Sequence, residues 1–399
     1  MKILYASPLC SEKVSNYIFK SSSTNQELAV QKFHQLITEG LSMYEKECSV
    51  ETLSIISITP SGHKKRFWNI PSEMDRNIRY NYIPMINWPI LKSIIILINS
   101  FFQLSFLILS SWRREKIILC DILYLPLLIS VFMASKLFKV KSIAIVTDLP
   151  DFVGDFKDRG NLVKTISKKV SYYILPKFNA YVLLTEEMNK VVNTRNKPYL
   201  IMEGLVDISM KASNNSLKNK NNERILLYAG NLYERNGIKK LIEAFLQLEG
   251  ENLRFHIYGS GEMGKDMPYY MNLDRRIVYQ GVFPNKVIVE KELEATLLLN
   301  PRPSNEEFTK YSFPSKNMEY MVSGTPIVTT PLPGMPIEYY DYVYLFDDET
   351  IHGFLNTLRY LLSLNEEKLH EKGKQAKEFV LKNKNNMIQA KRILDLCSC

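Results

Sequence analysis

Short apolar runs alternate with stretches of helical apolar spacing through the first half of the chain. Runs of strand length are predicted over Lys2–Ala6, Val50–Ile58, Ile122–Leu125, Ser142–Thr147 and Ala180–Leu184. Apolar residues three and four positions apart predict helices over Gln26–Tyr44, Leu127–Phe138, Val163–Leu175 and Glu186–Thr194. Strands that alternate with helices favour parallel βαβ units.

The pattern breaks at Ser209–Glu223, which is rich in Asn, Lys and Ser and reads as a solvated linker or a long surface loop. The alternation then resumes. Strands are predicted over Ile225–Ala229, Leu253–Tyr258, Ile277–Gln280, Leu297–Asn300 and Pro326–Thr329. Helices are predicted over Ile238–Gln247, Lys286–Ala295, Lys316–Val322 and Glu366–Leu396.

This organisation predicts an α/β protein with two Rossmann-like domains that face a central cleft. The first domain is expected over residues 1–205, the linker over 206–223 and the second domain over 224–375. Residues 376–399 are expected to form a C-terminal helix that crosses back to the first domain. A chain of 399 residues is long enough for two cores.

The most apolar stretch, Pro89–Ser111, has the length of a membrane span. Polar residues interrupt it, and Trp112-Arg113-Arg114 follows it as an interfacial signature. We therefore favour a helix packed on a sheet. A helix at a bilayer surface and a transmembrane helix remain the alternatives.

The net charge of +9 indicates an anionic partner, such as a phosphorylated substrate or a membrane surface. The sequence has no zinc-finger spacing, RNP-like segment or basic arm, so a nucleic-acid partner is not expected. Scattered cysteines indicate reduced thiols and a cytoplasmic protein: Cys10, Cys48, Cys120, Cys397 and Cys399. The start of the chain reads as a strand and not as a signal peptide.

Small residues follow three predicted strands of the second half. They are Gly230-Asn231, then Gly259-Ser260-Gly261, then Gly281-Val282. Ligands of open parallel sheets bind outside the carboxyl ends of the strands, and glycine lets backbone N–H groups approach a phosphate closely. The second half is therefore expected to bind a nucleotide or a similar anion.

The segment Tyr311–Thr330, YSFPSKNMEYMVSGTPIVTT, completes this pattern. A helix begins near Ser315-Lys316, Glu319 lies about one turn further on, and Gly324 ends the helix. Anions bind at helix N-termini, and a carboxylate on the helix can accept hydrogen bonds from sugar hydroxyls. The segment predicts a phosphate and ribose site.

The stretches AGNLYERNGIKKLIEAF, FHIYGSGE, IVYQGVFP and FPSKNMEYMVSGTPIV resemble the C-terminal domain of GT-B-fold glycosyltransferases, most closely the retaining family 4. The first half resembles that family more loosely through IVTDLP, YVLLTEEM and MEGLVD. The resemblance implies transfer of a sugar from a nucleotide diphosphate to an acceptor hydroxyl, with retention of configuration.

The resemblance also implies roles for individual residues. Glu319 would hold the donor ribose, while Phe313-Pro314-Ser315-Lys316 would bind the diphosphate. Tyr311 stands where the family has a first glutamate, which places contacts to the donor sugar in question. The family has an Arg and a Lys at the positions of Asn231 and, approximately, Asn236. The leaving group is therefore expected to be stabilised by Arg235 and Lys316, with Arg302 as a further candidate.

Two acidic groups have alternative interpretations. Asp148 follows a predicted strand and is expected either to orient or deprotonate the acceptor or to cap the next segment. Asp347-Asp348-Glu349 is interpreted as a surface turn. No metal is expected, because cations and helix dipoles can neutralise a leaving diphosphate.

The predicted function is a hexosyltransferase of surface (capsular or exo-) polysaccharide assembly. Its partners would be a nucleotide-sugar donor and a lipid-linked or oligosaccharide acceptor, without a cofactor. Basic residues of the first half indicate peripheral contact with the inner face of the plasma membrane. A non-catalytic GT-B-like partner subunit and a nucleotide-sugar epimerase are the alternatives.

Overall fold

A computed structural model describes residues 1–22, 29–110, 114–152, 162–220 and 223–398. The start of the helix predicted from Gln26, the pair Trp112-Arg113, two residues of the predicted linker (221–222) and Cys399 lie outside these residues. The chain forms two compact units. One comprises Met1–Leu205 with Asn386–Cys399, and the other comprises Val206–Asn385.

The first unit contains an eight-stranded sheet. In chain order its strands are β1 (Lys2–Ser7), β2 (Ser49–Ser54), β4 (Glu73–Asp75), β5 (Ile78–Tyr82), β7 (Lys116–Asp121), β8 (Lys141–Val146), β9 (Ala180–Leu183) and β10 (Tyr199–Ile201). Their spatial order is β10-β9-β8-β7-β1-β2-β5-β4, and every pair is parallel except β4–β5. Short strands β3 (Phe67–Trp68) and β6 (Met85–Ile86) form an antiparallel pair beside it.

Seven helices of the described chain belong to this unit: α1 (Glu12–Ser21), α2 (Ala29–Ser42), α3 (Leu91–Leu109), α4 (Leu125–Leu137), α5 (Leu162–Ile174), α6 (Glu186–Val192) and α13 (Asn386–Ser398). The C-terminal α13 packs against α2. Gly40 permits this approach, because a Cβ there would lie 2.2 Å from the Asn386 carbonyl oxygen. Tyr44 Oη donates to the Met387 carbonyl at 3.2 Å.

The second unit contains a six-stranded parallel sheet in the order β13-β12-β11-β14-β15-β16. Its strands are β11 (Arg224–Ala229), β12 (Leu253–Tyr258), β13 (Ile277–Gly281), β14 (Leu297–Asn300), β15 (Ile327–Thr329) and β16 (Tyr344–Leu345). Its helices are α7 (Ile238–Phe245), α8 (Met267–Leu273), α9 (Asn285–Glu294), α10 (Ser315–Ser323), α11 (Ile351–Ser363) and α12 (Glu366–Asn383). Two buried apolar clusters form its core, and both units confirm the predicted α/β class with Rossmann-like domains.

Two predicted elements are wrong. The strand expected at Ile122–Leu125 lies earlier in the chain, as β7, which ends at Asp121. A turn follows this strand, and in it Asp121 Oδ1 accepts from the Leu123 N–H. The apolar residues after this turn begin α4. The helix expected over Glu366–Leu396 is two helices, α12 and α13, because the chain leaves the helical path at Lys384-Asn385.

The segment that precedes β11 belongs to the second unit and is more firmly attached to it than a solvated linker would be. Asn215 Nδ2 donates to the Ser323 carbonyl and to Thr325 Oγ1, both at 2.9 Å. The Lys220 ammonium donates to the carbonyls of Leu293 and Ala295 at 2.8 Å and to Thr325 Oγ1 at 2.9 Å. Polar composition predicted solvation here, but these side chains satisfy backbone carbonyls of the second unit.

Helix α3 has one buried face and one exposed face. Ile96, Leu104 and Leu107 point into the unit, and Ser130 Oγ of α4 donates to the Leu97 carbonyl at 2.8 Å. By length and composition alone α3 could cross a membrane, yet only 28% of its most apolar window is buried. The predicted packing against the unit therefore accounts only for the buried face of this helix.

The cysteines of the described chain are free and buried: Cys10, Cys48, Cys120 and Cys397. Burial raises the pKa of the Cys10 and Cys397 thiols to about 12, so these thiols are protonated at neutral pH. They contribute to packing, as buried free cysteines usually do.

Candidate functional site

Backbone hydrogen bonds join the three glycine-containing turns of the second unit at the carboxyl ends of their strands. The Gly230 N–H donates to the Tyr258 carbonyl at 3.0 Å, and the Gly259 N–H donates to the Gly281 carbonyl at 2.8 Å. The Leu232 N–H donates to the Ser260 carbonyl at 2.8 Å. The turns predicted as one anion-binding edge are therefore brought together.

Gly259 shows why this edge requires glycine. Its φ of +124° is unfavourable for other residues, and a Cβ would lie 1.9 Å from the Gly230 carbonyl oxygen. At Gly281 a Cβ would meet no atom within 4 Å, and the neighbouring Val282 is exposed. The turns that follow β11 and β12 are therefore in close contact. The space beside Gly281, at the end of β13, is open and has room for a flat group.

Helix α10 begins at this edge. Pro314 precedes it, no side chain caps it within the described residues, and its first turn holds no acidic residue. Ser315 is exposed and Lys316 is half-buried. The positive end of the helix dipole and the Lys316 ammonium together favour an anion at this position.

The Glu319 carboxylate lies one turn into α10 and is held by two polar groups. The Lys316 ammonium approaches Glu319 Oε2 at 2.8 Å, and the Asn285 amide donates to Glu319 Oε1. The Glu319 side chain is largely buried, with 11% of it exposed. A fixed, ionised carboxylate beside an anion-binding helix start can accept two hydrogen bonds from a diol.

Side chains that the sequence did not single out position α10 on the sheet. Tyr320 Oη accepts from the Ala229 N–H at 2.8 Å and lies 3.2 Å from the Ala229 carbonyl, at the end of β11. Burial raises the pKa of Tyr320 far above its ordinary value, so its hydroxyl is protonated. Asn300 Nδ2, at the end of β14, donates to Asn317 Oδ1 at 2.6 Å.

The predicted loop before α10 has a buried and an accessible part. Phe313 is buried, and its ring centroid lies 5.1 Å from that of Tyr339. Tyr311 is half-buried at the end of the 3-10 turn Glu307–Tyr311. Phe313 therefore anchors the loop through packing, while Tyr311 presents a hydroxyl and a ring where the resemblance implies a carboxylate.

The residues of the first loop are more exposed. Arg235 is exposed in the 3-10 turn Glu234–Asn236, with its guanidinium 5.1 Å from the Tyr233 ring centroid. The Asn231 carbonyl accepts from Asn236 Nδ2 at 3.0 Å and from Tyr228 Oη at 2.9 Å. Asn236 therefore stabilises the loop, and Arg235 is its accessible cation.

Arg302 packs beside an aromatic ring, with its guanidinium 5.6 Å from the Phe308 ring centroid. Its carbonyl accepts from the Thr330 hydroxyl. These contacts tie the loop after β14 to the end of β15. The structure gives Arg302 this local role, and its expected role in leaving-group stabilisation stays a prediction.

Asp148 belongs to the first unit, two residues beyond the end of β8, and is partly exposed.

The acidic triplet of the second unit has structural partners. Glu349 accepts from the Ser304 N–H at 2.9 Å, and Asp348 accepts from the Thr350 N–H and hydroxyl. Hydrogen bonds from Thr350 lower the pKa of Asp348. These carboxylates organise turns, and the described residues contain no cluster of three metal-ligating side chains.

Comparison with known proteins assigns a function class to the second unit. Residues 209–379 match the family described as Glycosyl transferases group 1. No curated protein matches the sequence.

Solved structures resemble the whole chain at low identity. Sucrose-phosphate synthase from Thermosynechococcus elongatus has a TM-score of 0.71 at 13% identity and covers 100% of this chain and 98% of its own. Anabaena Alr3699/HepE in complex with UDP has a TM-score of 0.65 at 11% identity, with 100% of both chains covered. The lipopolysaccharide outer core galactosyltransferase WaaB has a TM-score of 0.61 at 15% identity and covers 100% and 99%. The likeness shows the GT-B fold, and the family match supports glycosyltransferase activity.

Proposed function

We propose that this GT-B glycosyltransferase transfers a hexose-type sugar from a nucleoside diphosphate donor bound by the second unit. The start of α10 carries the proposal, because uncapped N–H groups, Lys316 and Glu319 lie within about one helical turn. UDP is the favoured nucleotide, since structures of the similar Alr3699/HepE contain UDP and UDP-glucose.

In this proposal the donor diphosphate binds the first turn of α10 and the ribose hydroxyls donate to Glu319. Lys316 would then turn from Glu319 Oε2 to the diphosphate, which carries more charge than one carboxylate. Arg235 is the second candidate cation. A cation and helix N–H groups aimed at developing negative charge stabilise a departing diphosphate without bound metal.

The proposed reaction proceeds with retention. The bond from the anomeric carbon to the diphosphate oxygen breaks, and a bond to the acceptor oxygen forms on the same face. The departing diphosphate takes the acceptor proton, so the protein supplies positioning and charge stabilisation. Asp148 is proposed to orient the acceptor hydroxyl, and Tyr311 to contact the donor sugar.

The proposed acceptor is a lipid-linked saccharide of surface polysaccharide assembly, used at the cytoplasmic face of the membrane. WaaB, whose name includes the lipopolysaccharide outer core, is a structural neighbour that supports this pathway. The first unit exposes an apolar stripe on α3, made of Ile94, Ile98, Phe102, Phe106 and Leu109.

Cations accompany aromatic rings near the apolar helices. The Arg66 guanidinium lies 5.0 Å from the Trp88 ring centroid, just before α3, and Lys177 lies 5.3 Å from the ring of Phe132 in α4. Apolar area with adjacent cations suits an anionic bilayer surface.

A thermal-shift titration tests the donor site. UDP and UDP-hexoses should raise the Tm of the protein, and Lys316→Ala and Glu319→Ala should remove most of that shift. Lys265→Ala, at an exposed lysine of the same unit, is the matched control. If no nucleotide stabilises the wild-type protein, the donor proposal is wrong.

A further inference from the structure

A cavity of about 430 Å³ in the first unit has no role in the donor site. It lies where the end of β5, the loop before β4 and the middle of α3 meet. Six polar side chains line it: Asn69, Ser72, Asn81, Tyr82, Asn99 and Gln103. Phe102 contributes an aromatic ring at its edge. Its volume falls within the range of small-molecule sites.

Hydrogen bonds fix two of these amides in place. Asn81 Nδ2 donates to the Thr52 carbonyl at 3.0 Å, and Asn99 Nδ2 donates to the Pro84 carbonyl at 2.8 Å. Each bond directs one end of the amide to the protein backbone. The cavity wall is therefore ordered without a ligand.

Gln103 has unused hydrogen-bonding capacity. Its Oε1 is shielded from solvent and has no hydrogen-bond partner within the described part of the chain, although Gln103 lines the cavity. A buried amide oxygen without a partner is costly, so a rotation of the Gln103 side chain that lets Oε1 accept from a ligand hydroxyl in the cavity would be favoured.

The chemistry of the lining selects the class of ligand. The residues that line the cavity in the described chain carry amides, two hydroxyls, aromatic rings, an isoleucine side chain and prolines but no charge. Amides both donate and accept hydrogen bonds, which matches hydroxyl groups that also do both. A neutral, polyhydroxylated ring fits this lining better than a phosphate or a carboxylate does.

Phe102 connects this cavity to the apolar stripe of α3. It is 66% exposed, and Ile98 and Phe106 lie one turn before and after it on the same face. A ligand with its polar end in the cavity can therefore extend an alkyl chain along α3. The cavity and the stripe form one amphipathic surface.

We infer that this cavity binds the neutral sugar of a lipid-linked acceptor, whose lipid lies along Ile98, Phe102 and Phe106. The inference rests on the proposed glycosyl transfer to such an acceptor. It adds a specific sugar site on α3 and β5, which neither the sequence motifs nor the family match indicated.

Alkyl glycosides test the inference in the full-length protein. Octyl β-D-glucopyranoside, below its micelle concentration, should bind more tightly than octyl tetraethylene glycol ether, which has the same chain without a sugar ring. Gln103→Leu should lower the affinity for the glucoside about fivefold, as expected for the loss of a hydrogen bond, and leave that for the ether unchanged. Phe102→Ser should weaken both.

Two further variants test whether misfolding explains a loss of affinity. Asn69→Ala, in an exposed part of the lining, should also reduce glucoside affinity selectively, whereas Ser105→Ala on the same helix should not. Equal affinity for the glucoside and the ether, or no effect of Gln103→Leu and Asn69→Ala, would overturn the inference. Binding of UDP should persist in all four variants, which separates failure of this site from failure of the donor proposal.

Discussion

Helices α10 and α3 are both predicted from their apolar residues, but they serve their units in opposite ways. α10 has nine residues, and most of its side chains are buried against its sheet. The groups through which α10 is proposed to act are therefore the backbone at its start and the pair Lys316–Glu319. α3 has nineteen residues and exposes large apolar side chains along one face.

This difference separates two kinds of binding surface. At α10, ligand recognition requires a few charges and N–H groups at set positions, so a short motif in the sequence can specify it. At α3, recognition depends on which apolar side chains stay exposed after folding. The predictions below test whether α10 acts through charge and α3 through apolar area.

The largest effect is expected from Lys316→Ala. Loss of the ammonium removes charge stabilisation of the departing diphosphate, and kcat/KM should fall by about 10²- to 10³-fold. The measurement is initial-rate kinetics with the UDP-sugar that gives the largest thermal shift.

The free energy of unfolding should hardly change in Lys316→Ala, because a partly exposed ion pair between helix residues three positions apart contributes little to stability. Lys265→Ala provides the control for loss of a lysine charge. Unchanged kcat/KM in Lys316→Ala would show that α10 does not act through this cation.

The next effect concerns the buried side of α10. Tyr320→Phe removes the hydroxyl that bonds the Ala229 N–H and carbonyl, which leaves buried backbone groups unsatisfied. The free energy of unfolding should fall by about 1–3 kcal/mol, measured by urea denaturation. Tyr340→Phe, at a partly buried tyrosine of the same unit, should stay near wild type. A wild-type midpoint for Tyr320→Phe would mean that this hydroxyl does not secure α10.

The edge that is proposed to bind the donor could be located from sequence because its signals are local. Glycines after strands, the helix start at Ser315-Lys316 and the carboxylate at Glu319 lie within short segments. Asn285, which bonds Glu319, lies thirty-four residues away in sequence and carried no such signal. Its role depends on how α9 and α10 pack.

The first unit was less predictable for the same reason. The length and apolar composition of Pro89–Ser111 predicted the helix α3 but could not show which face stays exposed, since both faces are apolar. The cavity beside α3 joins Asn69, Asn81 and Gln103 from three separate elements. The strand β7 was misplaced because the apolar run continues past Asp121 into α4.

A smaller effect is expected from Phe106→Ser on α3. Phe106 is 68% exposed, so its replacement should leave the free energy of unfolding unchanged. The variant has one aromatic side chain fewer to insert into anionic vesicles. Partitioning should fall about tenfold, in line with the apolar area removed from water. The measurement is flotation with phosphatidylcholine vesicles that contain phosphatidylglycerol, at low salt.

Tyr360→Ser, at an exposed tyrosine of the second unit, is the control for this assay. Equal flotation of both variants with the wild-type protein would show that α3 does not contact the bilayer. The proposed difference between α10 and α3 would then depend only on the cavity beside α3 that is proposed to bind a sugar.

The smallest effect concerns Lys220, which attaches the preceding segment to Thr325 just after α10. Burial lowers the pKa of Lys220 to about 7, whereas the ammonium of an unfolded chain stays protonated to about pH 10. Between pH 7 and 9, unfolding therefore takes up a proton at this residue, and its contribution to stability rises with pH.

Lys220→Met lacks this titration, so the difference in stability between wild type and variant should grow from pH 7 to pH 9. The growth should stay below about 1.4 kcal/mol per pH unit, the limit for one proton. Urea denaturation at pH 7, 8 and 9 measures it, with the exposed Lys218→Met as control. A constant difference would show that Lys220 stays protonated and that its three acceptor oxygens outweigh its burial.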